Sequence, residues 1–181
     1  MTLREFIMLS PHAINQQELM RQMEKLNKPI YLSGERVPDS LNDISIGQLL
    51  MLQYMSTDED FMLKPASIIL GIHEDMLLKE QAEKVIGFSY WVAKEVGRIN
   101  KLFEKSSIPP TNEEVQAGVE KLNFGSFGII DWFAQRMGIT DHSEVENVPW
   151  VRIYKCLDMD AKKFVYERRL REIYNKKMQK K

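Results

Sequence analysis

The chain has 181 residues, of which 44% are hydrophobic and 28% charged, and its net charge is −1. That is long enough to bury a core and typical of a globular composition, and the near-zero charge excludes a global field that would draw nucleic acid or a membrane surface. The charge is unevenly placed: residues 160–181 carry nine Lys/Arg against three acids, or +6, while the remainder carries 16 basic against 23 acidic residues, or −7. Such asymmetry marks a tail suited to an acidic surface, including that of a sister subunit. The one cysteine, Cys156, excludes an intramolecular disulfide and points to a reducing compartment. No apolar run approaches the ~20 residues of a membrane span. "MTLREFIMLS" has charges inside its apolar pattern and no small-residue cleavage site, so it does not read as a secretory signal. A cytoplasmic protein without membrane contact is expected.

In chain order, helix starts are signalled by a Ser, Thr, Asp or Asn followed three residues later by Glu or Gln, a spacing that satisfies free amides at a helix N-terminus. The pairs are Thr2/Glu5, Asn15/Glu18, Ser45/Gln48, Ser56/Glu59, Thr111/Glu114 and Asp141/Glu144. With the apolar periodicity that follows them, they predict helices over 2–9, 15–27, 45–55, 58–71, 74–105, 112–122, 126–137, 142–147 and 150–178. The expected fold is all-α: an N-terminal arm over 1–42, then one compact helical domain over 43–181 that ends in a long basic helix. Pro65 should kink or shorten its helix. The segment 28–42, "KPIYLSGERVPDSLN", reads as a loop or small hairpin, and "KSSIPP" (105–110) as a second boundary.

The central helix carries Leu78, Ala82, Val85, Phe88, Val92, Val96, Ile99 and Phe103 on one stripe. Gly87 and Gly97 inside it cost about 1 kcal/mol each relative to Ala, which suggests close approach by a neighbouring helix. In "LNFGSFGIIDWFAQRMG" (122–138), a helix capped by Ser126 would bury Phe127, Ile130, Phe133, Ala134 and Met137, nearly all round. Asp131 and Gln135 would form its wet wedge, and Trp132, at the edge, its outside contact. Gly128 would permit close packing against the central helix, while Gly125 and Gly138 punctuate the ends. The C-terminal run places Trp150, Ile153, Tyr154, Leu157, Ala161 and Phe164 on one face, then drifts to Tyr166, Leu170, Ile173 and Tyr174, with Asp160 positioned to cap a break.

No phosphate-loop, dinucleotide or zinc-protease motif is present. His12, His73 and His142 are far apart and read as exposed or capping residues rather than metal ligands, and Cys156 reads as a buried small hydrophobe. The acidic triplets 58–60 and 158–160 fit helix-start acids better than magnesium ligands. No enzyme, cofactor or metal is expected. The basic C-terminus could track a phosphate backbone, but Glu167 and Glu172 interrupt it. An exposed polar helix end is the simpler reading, and head-to-tail contact with an acidic body fits the charge split better than nucleic acid does. The eleven methionines supply core filling and adaptable contact surface.

The order of pieces carries a further signal. "LNDISIGQLLMLQYMSTDEDFMLKPASIILGIHEDMLL" gives a short helix, an acidic turn and a second helix. "LNFGSFGIIDWFAQRMGITDHSEVENVPWVRIYKCLDMDAKKFVYERRL" gives a Gly-started helix, a short helix, a "VPW" junction and a long terminal helix. This order resembles the small all-α tail assembly chaperones of long-tailed bacteriophages over roughly residues 43–175. The resemblance implies a non-enzymatic assembly factor, in the host cytoplasm or the virion, that coats a tape-measure-like helical protein, recruits tail-tube subunits and self-associates. The side chains expected to bind partners are Trp132, Trp150, Tyr154, Arg168, Arg169 and Arg171. The arm 1–42 has no counterpart in that family, which keeps open a head–tail connector or other virion protein. Nucleic-acid binding through the basic C-terminal helix is the second alternative.

Overall fold

Side-chain caps fix where most helices begin, and the computed structural model, which describes residues 1–55 and 57–179, is all-α apart from one small hairpin. Thr2, Ser45 and Thr111 each accept the N–H three residues on while Glu5, Gln48 and Glu114 reach back to them, so three capping boxes form. They start α1 (Leu3–Leu9), α3 (Ile46–Gln53) and α7 (Asn112–Gln116). Asn15 caps α2 (Gln16–Met23) by accepting from Glu18 N–H. The Ser56/Glu59 pair involves a residue outside those described; Thr57 accepts from Asp60 N–H and starts α4 (Asp58–Leu70), which continues through Pro65 without being shortened. Asp141 caps α9 (His142–Glu146), but through Ser143 N–H at 2.9 Å rather than Glu144.

Two expected helices are interrupted. The segment 74–105 is α5 (Glu74–Leu77) and α6 (Ala82–Ser106), because the backbone between them serves the chain's first residues. Leu78 and Glu80 carbonyls accept from Arg4 and Leu3 N–H at 3.0 and 2.9 Å, and Met1 carbonyl accepts from Ala82 N–H at 3.1 Å. A continuous helix would consume those carbonyls internally. The segment 112–122 stops at Gln116 because Gly118 turns to φ 86°, and a 3₁₀ turn follows over Val119–Lys121. Conversely, α10 (Trp150–Met178) runs without the break expected at Asp160.

Of the two readings of 28–42, loop or small hairpin, the hairpin forms, from β1 (Tyr31–Leu32) and β2 (Glu35–Arg36), antiparallel with Leu32 opposite Glu35. The chain divides into two compact units, Met1–Ile99 and Asn100–Lys181. Their boundary lies within α6, not near residue 42. Residues 1–42 are therefore not an appended arm: Leu3, Phe6, Leu32, Val37 and Leu41 are all buried. In the first unit they join Ile46, Leu49, Leu77 and the α6 stripe of Val85, Phe88 and Val92 as core residues. Removing such side chains from water is the dominant favourable term in folding.

Gly87 is a site of close approach, by a backbone carbonyl rather than by a helix: an added Cβ would strike Asn27 O, just beyond α2. Gly97 does not behave that way, since a Cβ there meets nothing within 4 Å.

Candidate functional site

The second unit is built around α8 (Gly125–Met137), α9 and α10. Helix α8 starts one residue earlier than expected and lacks a cap from Ser126; Asn123 Oδ1 accepts Gly125 N–H at 3.0 Å instead. Only Ile130, Phe133 and Ala134 of the expected apolar cluster are buried, and Phe127 is 56% exposed. The helix is therefore one-sided rather than enclosed. Gly128 faces its own helix start, where a Cβ would lie 3.1 Å from Phe124 Cβ. The wet wedge forms as expected: Asp131 accepts from Gln135 Nε2 at 2.6 Å and pairs with His142 Nε2 at 3.1 Å. His142 is more engaged than an exposed capping residue, since its ring also packs 5.0 Å from that of Phe127.

At about 1.5 Å per residue, the 29 residues of α10 span roughly 44 Å. Its environment changes along that length. The first turns are anchored: Trp150 is 2% exposed and Ile153 fully buried. Trp150, Tyr154 and Phe103 form an aromatic cluster with ring centroids 5.6–6.2 Å apart. The expectation that Trp150 meets an outside partner is thus corrected; it is a core anchor, and Tyr154 is half-buried beside it. The middle of α10 is half-buried, and every position from 171 to 179 is exposed.

The remaining predicted contact residues fall in three places. Trp132 is half-buried under Arg136, whose guanidinium lies 6.0 Å from its ring and pairs with Asp160 at 3.2 Å. Asp160 thus ties α10 to α8 instead of capping a new helix. Arg168 and Arg169 line an open groove of about 550 Å³ between α10 and residues 105–109. Arg171 stands apart, exposed, with Glu167 at 3.8 Å.

That groove was missed in the sequence because "KSSIPP" reads only as a helix stop. Its consequence is spatial: the segment lies along α10, so Lys105, Ser107 and Ile108 face Lys162, Arg168 and Arg169. Among the described residues the wall's one acid is Asp158, engaged by Lys162 at 2.6 Å, which holds the Lys162 ammonium pKa above its ordinary value. Nη1 of Arg168 is shielded from solvent and has no hydrogen-bond partner among the described residues.

A second groove, in the first unit, is lined by Phe6, Leu19, Met20, Met23, Phe61 and Met62 among others and holds about 130 Å³. It is methionine-rich, as adaptable apolar contact surfaces are. Among the described residues, no group of three or more His, Cys, Asp or Glu gathers as a metal site would require, and no helix is long and apolar enough to cross a membrane. Comparisons with protein-family models, curated proteins and solved structures find no match to this chain.

Proposed function

We propose that this chain is a non-enzymatic assembly protein that presents the outer part of α10 to protein partners, including further copies of itself. The observation that carries this reading is the exposure of α10 beyond residue 170. Ile173, Tyr174 and Met178 are 51%, 58% and 76% exposed among Arg171, Lys176 and Lys177. Two and a half turns of helix without tertiary packing are marginal on their own. The i,i+4 pairs Lys163–Glu167 and Arg171–Glu167, at 3.9 and 3.8 Å, supply only a few tenths of a kcal/mol each. A partner surface that wraps this mixed apolar and basic helix end would supply the missing burial.

The resemblance to phage tail assembly chaperones gives this reading its biological form: the partners are a tape-measure-like helical protein and tail-tube subunits. Co-expression with the long helical protein and tube subunit of the same gene cluster tests it. Recovery of both through a tag on this chain is expected. A cluster that encodes portal and capsid proteins instead would favour a connector, and failure to recover either partner would contradict the chaperone reading.

A further inference from the structure

The groove between α10 and residues 105–109 contains an imbalance. Lys105, Arg168 and Arg169 have no ion-pair partner among the described residues, and the only acid in the wall is already held by Lys162. One guanidinium nitrogen of Arg168 is out of water without an acceptor. A shielded donor left unpaired is costly, more so on a charged group, and such a group calls for a partner. The guanidinium fork matches a carboxylate through two parallel hydrogen bonds.

We infer that this groove binds a carboxylate side chain of an acidic segment in a partner protein, with Arg168 as the anchor. The inference rests on the reading of α10 as a partner-binding element and gives that partner a chemistry. The rest of the wall favours a peptide over a polyphosphate. Ile108, Ala161 and Val165 offer apolar contact beside the cations, which suits a segment that alternates acids with apolar residues. A nucleic-acid backbone needs a continuous cationic track. Here Asp158 lies in the wall itself, and Glu167 and Glu172 interrupt the basic run on either side of Arg168. An anionic membrane surface is disfavoured because the exposed apolar residues do not form one broad face: Tyr166 and Ile173 lie on one side of α10, Phe164 and Met178 on another.

The test is fluorescence anisotropy of the full chain against a labelled amphipathic helical peptide with a Glu-rich face, and against the same peptide with Gln at every Glu. At low salt the Glu peptide is expected to bind and the Gln peptide not to. Losing a charged hydrogen-bonded anchor corresponds to roughly tenfold or more in Kd, so Arg168→Gln should weaken binding by at least about tenfold. Arg171→Gln, outside the groove, should change it less than about threefold, and Arg168→Lys should fall between. Circular dichroism of each variant confirms that the helices persist; if Arg168→Gln loses helicity, Arg168→Lys decides. Absent binding of the Glu peptide, or equal losses for Arg168→Gln and Arg171→Gln, would overturn the inference. So would tighter, Arg168-dependent binding of a DNA duplex or of phosphatidylserine vesicles. If partners still co-purify with Arg168→Gln, the inference fails while the assembly reading stands.

Discussion

The carboxylate of Glu80 accepts from both the backbone N–H and the hydroxyl of Ser33, 47 residues earlier, at 3.0 and 3.3 Å. Ser33 turns the β1–β2 hairpin with φ 48°, a left-handed conformation uncommon for residues with a side chain. Glu80 thus fixes the hairpin tip to the linker that precedes α6. Replacing Glu80 by Ala should destabilise the protein by about 1–3 kcal/mol, because a partly shielded N–H loses its acceptor. Urea unfolding of the two proteins measures this, and a change under about 0.3 kcal/mol would show that water replaces the carboxylate.

The same group makes stability depend on pH. The Gln81 N–H holds the Glu80 carboxyl below its ordinary pKa, aided by Ser33 N–H and Lys84. The Arg98 guanidinium does the same for Glu95, which also accepts Leu41 N–H at 3.4 Å. Folded-state values below the unfolded ones mean that this stability is fully present above the unfolded carboxylate pKa and is lost as pH falls through the folded values. Thermal melts should therefore drop steadily on acidification below the ordinary carboxylate range, and the Glu80→Gln/Glu95→Gln variant should show a shallower drop. Identical slopes would contradict this assignment.

The two glycines inside α6 should respond to alanine with opposite signs. At Gly87 a Cβ meets the Asn27 carbonyl, a backbone atom that cannot swing aside. The clash should outweigh the helix-propensity gain and cost about 1–3 kcal/mol net. At Gly97 the space is open, so alanine should stabilise by up to about 1 kcal/mol. Denaturation midpoints of the two variants, measured together, check both signs.

Trp150 and Trp132 should also separate. Trp150→Ala removes a buried ring from the Phe103–Tyr154 cluster and should cost about 3–5 kcal/mol. Trp132→Ala removes a half-buried ring whose cation, Arg136, keeps its pairing with Asp160, and should cost distinctly less. Equal losses would place Trp132 in the core as well.

How much of this was legible follows from distance along the chain. The boxes at Thr2, Ser45 and Thr111 could be read directly because donor and acceptor lie within four residues. The all-α class and the α6 stripe could be read because their periodicity is local. The break at 78–81 could not, since its cause is the pairing of Leu3 and Arg4 with carbonyls more than seventy residues away. Trp150 read as a contact residue because periodicity assigns it a face but does not reveal that Phe103 covers it. The groove was hidden for the same reason. Arg168 and Arg169 were visible as cations, but their neighbours at 105–109 come from a segment that sequence marks only as a helix stop.

The central claim, that the exposed basic end of α10 is an assembly contact, is tested most directly by light scattering on the full chain across a salt series. The charge split of +6 over residues 160–181 against −7 elsewhere predicts association at low salt and high concentration. The mass should rise above the 21.2 kDa monomer there and return toward it as salt is added, and Lys176→Glu/Lys177→Glu should abolish the rise. A mass of 21.2 kDa at every salt and concentration would contradict the claim.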